Sequence, residues 1–109
     1  MMSESIQPKL LLKQALVKEN MNGFNLSTLE GDTYVIIREY LVTLSGEDRT
    51  IMSSLFNQLT LKRKAKILAL ASSLNLDPDT RSKMTTEERE FFDKIALATV
   101  DFKRSVEVK

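Results

Sequence analysis

The stretch EDRTIMSSLFNQLTLKRKAKILALASSL, residues 47–74, decides the fold. It runs without glycine or proline, the two residues that most readily break a helix. Ile51, Met52, Leu55, Phe56 and Leu59 recur at the three- and four-residue steps of one helical face. Beyond a basic interruption, Ile67, Leu68, Leu70 and Ala71 continue the apolar surface. As one helix the stretch would be ~40 Å long; a break near Thr60 would divide it into two. A helix longer than a small globule leaves an apolar stripe in water unless something covers it. An obligate assembly is therefore expected.

Toward the N-terminus, residues 8–18 predict a first helix. Pro8 suits a first helical position, where its missing N–H costs nothing, and Leu11, Leu12, Ala15 and Leu16 make the stripe. Residues 20–23 read as its stop, with Gly23 as a left-handed cap. A connector over 24–31 carries Phe24, Leu26 and Leu29, which should pack under something. A second helix begins near Asp32, a plausible N-cap, and sets Tyr34, Ile37, Leu41 and Leu44 on one face. The β-branched run 33–37 also fits a strand, but the longer apolar period favours helix. Ser45-Gly46 should end it.

Toward the C-terminus, residues 75–84 read as a polar loop around Pro78, which disfavours helix immediately before it. The last helix has the clearest start: Thr85 and Glu88 stand at capping-box spacing, and Glu87 adds charge to the first turn. Phe91, Phe92, Ile95, Thr99, Phe102 and Val106 follow at helical steps, with Lys103-Arg104 near the C-terminal end. The expected fold is all-α. It is one domain of four to five helices, with a long central and a long C-terminal helix, a flexible segment 1–7 and a frayed tail 106–109.

Composition narrows function. Cysteine and histidine are both absent. Disulfides, thiol nucleophiles, thiolate or imidazole metal sites and histidine acid–base chemistry are thereby excluded. No phosphate- or dinucleotide-binding glycine motif occurs. Sixteen basic residues against fifteen acidic give a net charge of +1, too little for a global field that would hold a polyanion. The N-terminus lacks the order of a signal peptide and no apolar run suits a membrane span. These features read as a cytoplasmic, non-enzymatic protein without cofactor, metal or membrane association.

Three clusters carry side chains capable of chemistry. Lys62, Arg63, Lys64 and Lys66 are a candidate nucleic-acid contact. On a helix, however, they spread around more than half the circumference, so a solvated face with one or two ion pairs is the more economical reading. Glu87, Glu88, Glu90 and Asp93 sit where a helix start favours negative charge, which makes them cap and solvation before metal site or acid–base pair. Phe91, Phe92 and Phe102 are core candidates rather than base-stacking platforms. Because adjacent residues point about 100° apart on a helix, one of Phe91 and Phe92 is expected to face a partner.

Read in order, these segments resemble the helical domain of GINS, the replication scaffold of archaea and eukaryotes. The pieces are Leu29-x-x-x-x-Tyr34-x-x-x-Arg38-x-Tyr40-Leu41 and Leu59-x-x-x-Arg63-Lys64-x-Lys66-Ile67-Leu68-x-Leu70-Ala71. Met84-Thr-x-Glu87-Glu88-x-x-Phe91-Phe92-Asp93 and Phe102-Lys-Arg104 complete the set. They are similar to the archaeal subunit that carries its helical domain first. The resemblance implies a scaffold that forms a dimer or tetramer with itself or with sister subunits and links the MCM helicase to a RecJ-like replication factor. It implies that Tyr34, Leu41, Ile67, Leu70, Phe92 and Phe102 are core or interface residues, with Phe91 and Ile95 as further interface candidates. Direct nucleic-acid binding would be weak or none. In that family a small β-rich domain usually follows; with the sequence stopping near Lys109, an abbreviated subunit or an excised helical domain is expected. A small helical DNA-binding regulator using residues 62–66 is the alternative.

Overall fold

The computed structural model describes residues 7–107. The expected loose ends at 1–7 and 106–109 lie mostly outside them. Five helices follow in order: α1 (Pro8–Met21), α2 (Thr33–Leu41), α3 (Gly46–Ser72), α4 (Pro78–Ser82) and α5 (Thr86–Val106). The long stretch is one uninterrupted helix, with no break at Thr60. It ends in a Schellman arrangement: Asn75 N–H donates to the Leu70 carbonyl and Leu74 N–H to that of Ala71. Leu74 takes the left-handed conformation there, at φ 55°.

Several expectations are corrected at the helix ends. Ser45-Gly46 does not end α2, which stops at Leu41; these residues open α3, with Gly46 at φ 59°. The Asp32 side chain makes no cap bond to α2. The turn is closed instead by Thr33, whose hydroxyl donates to the Glu30 carbonyl at 2.8 Å. The loop around Pro78 contains the short α4, with Pro78 in its first turn and the Asp77 carboxylate accepting from Asp79 N–H at 3.0 Å. Gly23 does take the left-handed conformation predicted for it, at φ 58°.

α3 is the spine, and two hydrophobic cores form along it. The first joins α1, α2 and the first half of α3: Leu12, Ala15, Leu16, Leu29, Tyr34, Ile37, Met52 and Leu59. The rings of Tyr34 and Phe56 meet edge to face, with centroids 5.6 Å apart. The second core joins the second half of α3 to the start of α5: Leu26, Ile67, Ala71, Met84 and Phe92. Met84, at the edge of the expected polar loop, is fully buried. The connector does fold under, through Leu26 and Leu29, but Phe24 does not: it is 98% exposed.

Glu88 near the start of α5 bonds Arg63, while Phe92 packs with Ile67 and Ala71. α5 therefore sets out from the middle of α3 and runs in the same direction. Being 21 residues long, it outlasts its neighbour, and residues 101–107 are all exposed. The molecule is accordingly elongated, 58 × 33 × 23 Å.

Candidate functional site

Between the two cores lies a layer of buried charge centred on Arg63, whose side chain is 0% exposed. Its position follows from the helical stripe: Arg63 stands four residues after Leu59 and four before Ile67, both fully buried. Nε and Nη2 grip the Glu88 carboxylate in a two-pronged fork, each at 2.7 Å. Nη1 donates to Glu19 Oε1 at 2.7 Å and to the Ser27 carbonyl at 2.8 Å. Nη2 also reaches the Lys83 carbonyl at 3.0 Å. Every N–H of the guanidinium thus has an acceptor, which a buried cation needs.

Each of the two carboxylates is also held from other segments. Glu19, near the end of α1, takes Lys66 Nζ at 2.6 Å and the Ser27 hydroxyl at 2.5 Å. Lys66 also donates to the carbonyls of Glu19 and Asn25, both at 2.9 Å. Glu88 accepts from Thr85 N–H at 3.0 Å while Glu88 N–H donates to Thr85 Oγ1, the capping box predicted from sequence. The Tyr34 hydroxyl from α2 donates to Glu88 as well. Two cations and two carboxylates balance, and the layer ties α1, α2, α3 and α5 to the segments that lead into α2 and α5.

The electrostatics follow from this packing. Burial alone would raise the Glu19 carboxyl, but hydrogen bonds from Lys66, Ser27 and Arg63 outweigh it and hold Glu19 below the usual value of 4.5. Burial and the neighbouring Glu88 carboxylate push the Tyr34 phenol up. Burial would lower Arg63, yet its bonds to Glu88 and Glu19 raise it further, so it is a permanent cation.

This layer corrects the basic-run reading. Arg63 is enclosed and the Lys66 side chain is only 11% exposed and committed to Glu19, so neither is available to a phosphate. Lys62 and Lys64 alone of the four stay exposed. The acidic cluster also disperses: Glu88 turns inward, Asp93 pairs with Arg81 at 2.6 Å, Glu90 with Lys94 at 3.2 Å, and Glu87 lies 3.4 Å from Arg38. Sequence reasoning missed Glu19 and Ser27 altogether. The signal for Glu19 was present, since it continues the Leu12, Ala15, Leu16 stripe of α1; a carboxylate on an apolar face asks for a buried cation.

Among the expected core or interface residues, Tyr34, Ile67 and Phe92 are buried in the chain's own cores. Leu41 and Leu70 are half-buried against those cores. Phe91 and Ile95 are also half-buried, and Phe102 is 66% exposed. Phe91 lines an open, mainly apolar groove of about 330 Å³ between α3 and α5, with Leu61, Lys64, Ile67 and Glu87. Among the described residues, Glu87 Oε1 is the buried side-chain oxygen or nitrogen without a hydrogen-bond partner, and it belongs to this groove.

The family model for Sld5, the GINS complex protein helical bundle domain, matches residues 11–107. The chain belongs to this family. No curated protein and no solved structure matches it. The all-α architecture is that of the GINS helical bundle, with α3 as the long central helix and α5 as the long last one. GINS proteins are non-catalytic scaffold subunits of a DNA replication complex and act together with other GINS subunits. Among the described residues, no helix is long and apolar enough to cross a membrane.

Proposed function

We propose that this GINS helical bundle assembles through its exposed helical surfaces into an oligomer that links an MCM helicase to a RecJ-like replication factor. The family match over residues 11–107 carries this reading. The exposed apolar residues of α3 and α5 support it, among them Leu61, Leu68, Leu97 and Phe102. In this role the ionic layer is internal bracing: it holds α1, α2 and α5 at fixed positions on α3, so the outer faces keep a defined shape for partners. The work is adhesive, carried out in the cytoplasm at the nucleoid.

Co-purification of the tagged full chain from its native host, scored for MCM and a RecJ-like protein, tests this. Both are expected above the level of a tag-only control; recovery of neither would overturn the linking role. The alternative, a DNA-binding regulator, draws support only from Lys62 and Lys64 once Arg63 and Lys66 are committed inward.

A further inference from the structure

α1 is apolar on two opposite sides. Leu12, Ala15 and Leu16 turn inward to the first core. On the far side Leu10, Val17 and Met21 stand 49%, 55% and 79% exposed. With Gln14 between them, these residues follow at steps of four, three and four, the spacing of a coiled-coil seam. All four fall within an arc of about 60°, and the seam is about 16 Å long.

The charges beside this seam have one sign. Lys13 and Lys18 flank it, each about 70° from its centre, and Lys9 lies beyond Lys13; all three are exposed. The sole carboxylate of α1, Glu19, is buried against Arg63. None of the three lysines forms an ion pair with a described residue. Glu30 of the connector shares a depression with Gln14 and Lys18 but does not bridge to Lys18. Lys13, Gln14, Val17 and Lys18 enclose a second, open depression of about 330 Å³. Such a four-residue hole is what a knob from a facing helix enters.

These features select the occupant. A second copy would set Lys13 and Lys18 against the same lysines whichever way the two helices ran, and like charges at flanking positions oppose pairing. A lipid surface calls for a broad apolar face, whereas this seam is narrow and interrupted by an amide. A helix with an apolar seam and carboxylates on both flanks matches the apolar stripe and the lysines together.

We infer that the outer face of α1 docks an acidic amphipathic helix of another protein. The partner's seam packs on Leu10, Val17 and Met21, and its flanking carboxylates meet Lys13 and Lys18. Gln14 pairs with a polar side chain in that seam and fixes the register. This surface is separate from the faces of α3 and α5 and does not depend on the linking role.

Fluorescence anisotropy tests it, with the full chain and a labelled synthetic three-heptad peptide. The peptide carries leucine in its seam, one asparagine for Gln14, and glutamate on both flanks; a twin carries lysine on the flanks. The glutamate peptide is expected to bind at least about tenfold more tightly than its twin, and Val17→Gln to weaken it about tenfold, as for loss of an anchoring apolar contact. Lys13→Glu combined with Lys18→Glu should reverse the preference between the peptides. The substituted residues are exposed, so circular dichroism should show the variants folded. No binding of the glutamate peptide, equal binding of the twin, or indifference to Val17→Gln would overturn the inference. Self-association lost on Val17→Gln, read by sedimentation velocity, would assign the face to a second copy. Binding to phosphatidylserine vesicles in place of the peptide would assign it to a lipid surface, and either result overturns the proposal.

Discussion

Arg63 is the residue on which the interior turns. Its guanidinium is planar and five-donor, so it can fork Glu88 while reaching Glu19 and two carbonyls; an ammonium cannot reproduce that geometry. Buried pairs are weak evidence for net stability, but removing one partner strands the others. Arg63→Met should therefore cost about 3–5 kcal/mol by leaving buried Glu88 without a cation and Glu19 with Lys66 alone. Urea denaturation followed by circular dichroism measures this, and an unchanged midpoint would contradict the bracing role. Glu19 gives a pH signature. Its carboxyl is held below 4.5 in the folded chain, so the unfolded chain binds the proton more readily. The stability it contributes is present above pH 4.5 and is lost as pH falls through the lower folded value. Urea midpoints measured between neutral and acid pH should fall more steeply for the parent than for Glu19→Gln. The Tyr34 shift has the opposite sense: raised in the fold, its contribution is present below pH 10 and is lost as pH rises beyond it.

At the level of elements, local chemistry explains which boundaries were readable. α5 starts where Thr85 and Glu88 cap one another, a pattern confined to four consecutive residues. α4 was not read because Asn, Asp, Pro, Thr, Arg and Ser compose loops as readily as a single helical turn; here the Asp77 cap and a following turn toward α5 order it. α2 resisted its β-branched start because Tyr34 and Ile37 bury together only at helical spacing. The cap also supports the interior, since Thr85 is fully buried and fixes the carboxylate that Arg63 grips. Thr85→Ala is predicted to destabilise the fold by about 1–2 kcal/mol, the upper part of the range for a lost N-cap. The measurement is again the urea midpoint, and a loss no greater than that of an exposed Thr→Ala, such as at Thr50, would sink the argument.

At the scale of the molecule, α3 carries two small cores with a charge layer between them, and α5 projects past the end of its support. A chain so elongated has little depth in which to bury both sides of its helices, and apolar residues remain outside along α3 and α5. To the basic surface the run 62–66 contributes only Lys62 and Lys64. Gel shifts with duplex DNA across a salt series are expected to show a slope no steeper than about −2, the value for two phosphates neutralised by that run. A slope near four charges would contradict this expectation.

The sequence by itself determined the helical class, the long central helix, the capped start of α5, the left-handed Gly23 and the family, because each is written in residues close together along the chain. Only the tertiary structure decided that the most conspicuous basic residue is interior. The same holds for its partners, which lie 44 and 25 positions away at Glu19 and Glu88. It likewise decided that Phe92 is buried while Phe102 is bare. Periodicity tells which residues share a helical face, but not what that face meets. A charge on an apolar stripe, or an aromatic beyond the end of a neighbouring helix, acquires its meaning from the element packed opposite it.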